Sequence, residues 1–129
     1  MTLIAVAAAG VGCGGTDERA QVREVAQQFT TALERGDGAA ACALLDGPTR
    51  AALTEQEQSP CADAIGGLGL RRAPVEAVRV YVTSAQVRLA SGEVAFLGRA
   101  REGWRLSAVG CRFEDGKPRS RPATCELES

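Results

Sequence analysis

The sequence predicts an α+β domain, with N-terminal helices packed on one face of an antiparallel sheet, and three observations carry that prediction. Apolar residues recur at three- and four-residue spacing from Val22 to Leu33. They alternate with polar residues from Val78 to Leu106. The period changes once, across Leu70-Arg71-Arg72-Ala73-Pro74, so the helices precede the strands instead of alternating with them.

The first helix is predicted from about Asp17 to Arg35. Asp17 and Glu18 place negative charge at the positive end of the helix, and Gly36 follows the last periodic residue as a C-terminal cap. Val22, Val25, Ala26, Phe29 and Leu33 share one face, which is to be buried. Asp37 caps a shorter helix through the alanine-rich run to Leu45, which Asp46-Gly47-Pro48 ends. Another turn follows through Arg50 to Leu53, and Thr54 to Gln58 is polar enough for loop or exposed helix. Ser59-Pro60 reads as a cap and a first helical proline, opening a helix through Ile65 that Gly66-Gly67 stops.

Four strands follow, around Val78–Val82, Val87–Leu89, Val94–Leu97 and Trp104–Ser107, separated by breaks short enough for hairpins. Strict alternation puts Val78, Val80, Val82, Val87, Leu89, Val94, Phe96, Trp104 and Leu106 on the helix side. The other face carries Arg79, Tyr81, Arg88, Leu97, Arg99 and Arg105, a mixture of cations with apolar groups that fits an interaction face.

The run Val25 to Leu33 with Gly36-Asp37, the Cys42-Ala43-Leu44-Leu45 helix, Pro60-Cys61 and Gly103-Trp104-Arg105-Leu106 together resemble the nuclear-transport-factor-2-like, or cystatin-like, α+β domains of secreted actinobacterial lipoproteins. The resemblance implies that the sheet curves and the helices close it into a cone, a cystatin-like roll whose open end is a ligand pocket in some members and packed in others. It also implies that homodimers form through the outer sheet face. Phe29, Phe96 and Trp104 are the residues to line such a pocket, or to fill it as core.

The N-terminus points to the address. Leu3 to Ala9 is an apolar run too short to span a bilayer but sufficient for a signal-peptide core. Gly12-Cys13 resembles the lipobox of bacterial lipoproteins, with Gly10 where leucine is usual, and the resemblance implies lipid attachment at Cys13. No Lys or Arg precedes Cys13, so the signal peptide, residues 1–12, is expected to be truncated at its start, with initiation expected upstream of Met1. Residues 13–18 then form a lipidated cysteine and short tether, and 19–129 a single domain.

Setting Cys13 aside leaves Cys42, Cys61, Cys111 and Cys125, an even set that permits three pairings or four reduced thiols. Cys42 with Cys61 and Cys111 with Cys125 each close a local loop, and this pairing is expected in an oxidising compartment. The second would close a polar segment, Arg112 to Pro122, into a surface loop.

Several function classes are disfavoured. Histidine is absent and no Cys-x-x-Cys occurs, so neither a metal site nor a redox centre is expected. A net charge of -1 disfavours nucleic acid. Asp46 reads as turn chemistry and Asp63 as a solvated helix residue, which leaves no evident catalytic acid or base and no cofactor site. The expectation is a noncatalytic, lipid-anchored binding or interaction module on the extracytoplasmic face of the cell membrane. Its partners are the membrane, through the anchor, and a second copy or another envelope protein. A small-molecule carrier or isomerase-like enzyme using the cone is the alternative, and it requires an open cavity with a polar group inside.

Overall fold

The computed structural model describes residues 15–113 and 123–129. The expected signal peptide, Cys13 and residues 114–122 of the polar loop lie outside the described residues. Four helices precede the sheet: α1 Gly15–Glu34, α2 Gly38–Ala43, α3 Gly47–Glu57 and α4 Cys61–Ala64, the last continued by a 3-10 turn at Ile65–Gly67. Six strands follow: β1 Val75–Val80, β2 Ser84–Leu89, β3 Val94–Ala100, β4 Gly103–Phe113, β5 Ala123–Thr124 and β6 Leu127–Glu128.

Local chemistry sets most helix ends. Gly36 adopts φ +68°, and the amide of Asp37 returns to the carbonyl of Ala32 at 2.9 Å, closing α1 in a left-handed cap that suits glycine. Asp37 then caps α2 through the amide of Ala40 at 3.0 Å. Asp46 both follows α2 and caps α3, accepting from the Thr49 amide at 2.8 Å, and Pro48 sits in the first turn where its missing N–H costs nothing. The polar stretch from Thr54 to Glu57 is helical and belongs to α3.

Several elements differ from expectation. Helix α1 starts at Gly15, two residues before the expected Asp17; the acidic first turn suits a helix N-terminus, and Glu18 is held by a tertiary bond to Trp104. Pro60, not Ser59, is the cap of α4, and no side chain bonds there. Two short strands, β5 and β6, were not anticipated, being too brief for any alternation to register.

The sheet is an antiparallel meander in the order β1-β2-β3-β4, curved and unclosed. Three short pieces share the far edge of β4. Leu45 bridges to Leu106 in parallel, with the Leu106 amide on the Leu44 carbonyl at 2.8 Å and the Asp46 amide on the Leu106 carbonyl at 2.9 Å. Beyond it β6 pairs at Ala108 and Val109, and β5 at Arg112 and Phe113. Helix α1 lies across β1, β2 and β4 on the concave face.

Val22, Ala26, Phe29 and Leu33 of α1 meet Val87, Leu97, Trp104 and Leu106 of the sheet in the main core, and Leu45, Leu53 and Ile65 of the shorter helical region close its side. Each fully buried aliphatic side chain contributes about 1.5–3 kcal/mol. Disulfides join Cys42 to Cys61, between α2 and α4, and Cys111 to Cys125, between β4 and the residue after β5.

Candidate functional site

The end of the domain nearest the chain's start is built by two hairpin tips and the first turn of α1. Trp104 opens β4 opposite Arg99, the last long side chain of β3. The Trp104 ring is 3% exposed, and its Nε1 donates to Glu18 Oε2 at 2.7 Å. The Arg99 guanidinium contacts the other carboxylate oxygen of Glu18 at 2.5 Å and stands 5.1 Å from the centre of the Trp104 ring. One carboxylate therefore satisfies a buried indole N–H and a cation stacked on the same indole. The β1–β2 tip adjoins this cluster: the backbone amide of Arg99 donates to the Thr83 carbonyl at 3.1 Å. Tyr81 and Val82, on that tip, are the large hydrophobic residues that stand out in solvent among those described, at 55% and 87% exposure.

The expected pocket is not assembled as a set. Phe29 and Trp104 are buried in the main core, but Phe96 points to the opposite side of the sheet, where it packs with Val94, Ala108, Cys111, Phe113 and Cys125 in a second, smaller cluster. Between α1 and the sheet, beside Phe29, Leu33, Val87 and Leu106, lies a cavity of about 30 Å³. That is room for about one water molecule, an order of magnitude below the 300–1,000 Å³ of ordinary ligand pockets.

The expected interaction face is corrected at three positions. Leu97 is 1% exposed and faces the helices, as does Ala95, while Phe96 and Val94 face outward. Sheet parity in β3 is thus the reverse of that expected. The cause is the register of the β2–β3 hairpin: β3 pairs with β2 without a shift, setting Ala95 opposite Val87 and Leu97 opposite Ala85, and a register different by one residue would exchange the two faces. Arg99 follows Leu97 to the helix side, where it meets Glu18. Tyr81 and Val82 lie past the end of β1 in the tip, so neither occupies a sheet face. Arg79, Arg88 and Arg105 do remain outward; Arg88 pairs with Glu76 at 3.1 Å, and Arg105 donates to the Trp104 carbonyl at 2.8 Å.

One buried charge escaped the sequence analysis. Glu93, 3% exposed at the foot of β3, accepts from the Arg71 amide at 3.3 Å and from the Arg112 guanidinium at 3.1 Å, and Arg112 also reaches Glu126 at 3.6 Å. Its position after Ser91-Gly92 reads as a solvated turn, and no local signal distinguishes it. Its buried charge is paired, which removes the usual objection to a carboxylate in the interior.

Asp46 Oδ1 holds both the amide of Thr49 and, at 2.5 Å, its hydroxyl, while Asp63 lies exposed on α4. Among the described residues no group of three or more His, Cys, Asp or Glu side chains could hold a metal ion. No described helix is long and apolar enough to cross a membrane. Compared with protein families, curated proteins and solved structures, the chain matches none of them.

Proposed function

We propose that this chain is a lipoprotein, anchored through Cys13 to the extracytoplasmic face of the cell membrane, whose domain is a noncatalytic binding or interaction module. The observation that carries the reading is the pairing of all four cysteines after Cys13. Crosslinks between α2 and α4 and across the end of β4 suit a protein matured in an oxidising compartment, and they leave Cys13 alone beside the lipobox-like Gly12. Two acyl chains, at about 0.8 kcal/mol per buried methylene, suffice for stable attachment.

The cavity bears on the alternative. A carrier or isomerase-like enzyme needs a chamber for its small molecule, and about 30 Å³ between α1 and the sheet accommodates solvent only. The outer sheet face, which carries Arg79, Arg88 and half-buried Phe96, is the surface we assign to a protein partner, either a second copy or another envelope protein.

Intact-mass measurement of the protein from membranes, with and without reductant, tests the reading. The expected product begins at Cys13, carries acyl chains and gains the hydrogens of two disulfides on reduction. An unacylated, fully reduced chain would refute it.

A further inference from the structure

From the Tyr81–Val82 tip we infer a membrane-contacting surface: the tip enters the interfacial layer of the same leaflet that holds the Cys13 lipid, and so fixes which end of the domain faces the bilayer. This rests on lipid attachment at Cys13, as proposed above, and adds an orientation to it.

The placement follows from contacts. Helix α1 runs from the Arg99–Trp104 end of the sheet, where Glu18 is bonded, toward the β2–β3 turn, where Phe29 and Leu33 line the small cavity beside Leu89. Its first residue, Gly15, lies one turn beyond Glu18, and Cys13 is two residues further, within about 7 Å of chain even if fully extended. The anchor is thereby confined to the end that carries the β1–β2 and β3–β4 tips. A long flexible tether would remove this constraint, but here helix begins almost at once.

That same end holds Tyr81 and Val82, 55% and 87% exposed, on a turn closed by the Tyr81 amide bonding to the Ser84 carbonyl at 2.7 Å. An aliphatic residue at a hairpin apex beside a tyrosine gives an apolar tip with one hydroxyl, the composition suited to the boundary between headgroups and acyl chains. On the neighbouring β3–β4 tip Arg101 is exposed beside Glu102, while Arg99 is engaged by Glu18, so the tip's apolar side chains and not its charge carry the contact. Among the described residues the opposite end, at Ala90 to Gly92, has no exposed large apolar residue. A lipid surface is therefore the occupant that both the anchor position and the tip chemistry select.

Full-length lipidated chain reconstituted in vesicles of phosphatidylcholine and phosphatidylglycerol, three to one, tests this, with Val82→Trp at the tip and Ala90→Trp at the opposite end as paired reporters. Replacing part of the phosphatidylcholine by a form brominated near the headgroup should reduce the added fluorescence of Val82→Trp by at least about twofold more than that of Ala90→Trp. Equal quenching in chains whose mass shows the acyl groups overturns the orientation while leaving the anchor intact. Loss of quenching with concentration-dependent dimers broken by Val82→Asp would assign the tip to a second copy, and equally overturns it. Chains without acyl mass overturn both readings together.

Discussion

The indole N–H of Trp104 donates to a carboxylate oxygen of Glu18 at 2.7 Å, joining the first turn of α1 to the start of β4 across 86 residues of sequence. The ring it serves is almost fully buried, so loss of the acceptor leaves the indole N–H without its protein partner. Glu18→Ala should cost about 1–3 kcal/mol. Glu18→Gln keeps an acceptor for the indole and loses only the half-exposed Arg99 pair, which is worth about 0–1 kcal/mol. Denaturant midpoints of the two variants separate the bond from the charge: equal destabilisation would mean that the ion pair, not the indole bond, holds the helix.

Reversed parity in β3 yields a second prediction. Leu97 sits fully buried under the helices, whereas Phe96 is half-buried on the other face. Leu97→Ser should remove about 3 kcal/mol or more, combining a cavity with an unpaired hydroxyl, and Phe96→Ser should cost clearly less. Urea unfolding of the pair gives the order directly. The opposite order would restore the alternation expected from sequence.

These residues also mark where sequence was sufficient. Helix α1 was legible because Val22 to Leu33 keep one period and Asp17, Gly36 and Asp37 punctuate it, each local signal agreeing with the packing. The hairpins were legible for the same reason, as Ser91-Gly92 and Glu102-Gly103 fall where the chain turns. The faces of β3 were not, since alternation carries no information about the register a hairpin imposes, and Val94 to Leu97 is apolar at every position. Glu93 and the Glu18–Arg99–Trp104 cluster depend on partners between 19 and 86 residues away, which no local pattern contains.

At the crossing of α2 and α4 the prediction concerns a glycine. A Cβ on Gly38 would stand 1.9 Å from the carbonyl oxygen of Ala62, a backbone atom that cannot rotate aside. Gly38→Ala should therefore destabilise by about 1–3 kcal/mol despite the better helix propensity of alanine. Gly66→Ala is the matched control, because nothing lies within 4 Å of its added methyl. It should be neutral, or stabilising by up to about 1 kcal/mol through the unfolded chain. Thermal melts of both variants check the contrast, and equal melting temperatures would mean that the two helices can separate without cost.

The Cys42–Cys61 bridge crosses the same junction, over a sequence separation of 19 residues. In the chain-entropy account a loop of this length is closed at a gain of about 3 kcal/mol, most of it arising from the unfolded state. Replacing both cysteines by alanine should lower stability by that order. The close backbone approach at Gly38 and the bridge constrain one helix pair, so their effects should not add: without the disulfide α2 can draw back from Ala62, and Gly38→Ala should cost less than in the crosslinked protein. A double-mutant cycle in urea measures this coupling, with about 0.5 kcal/mol or more expected. Strict additivity would mean that α2 stays seated on α4 by packing alone, through buried Ala41, Ala64 and Ile65, and that the crosslink acts only on the unfolded chain.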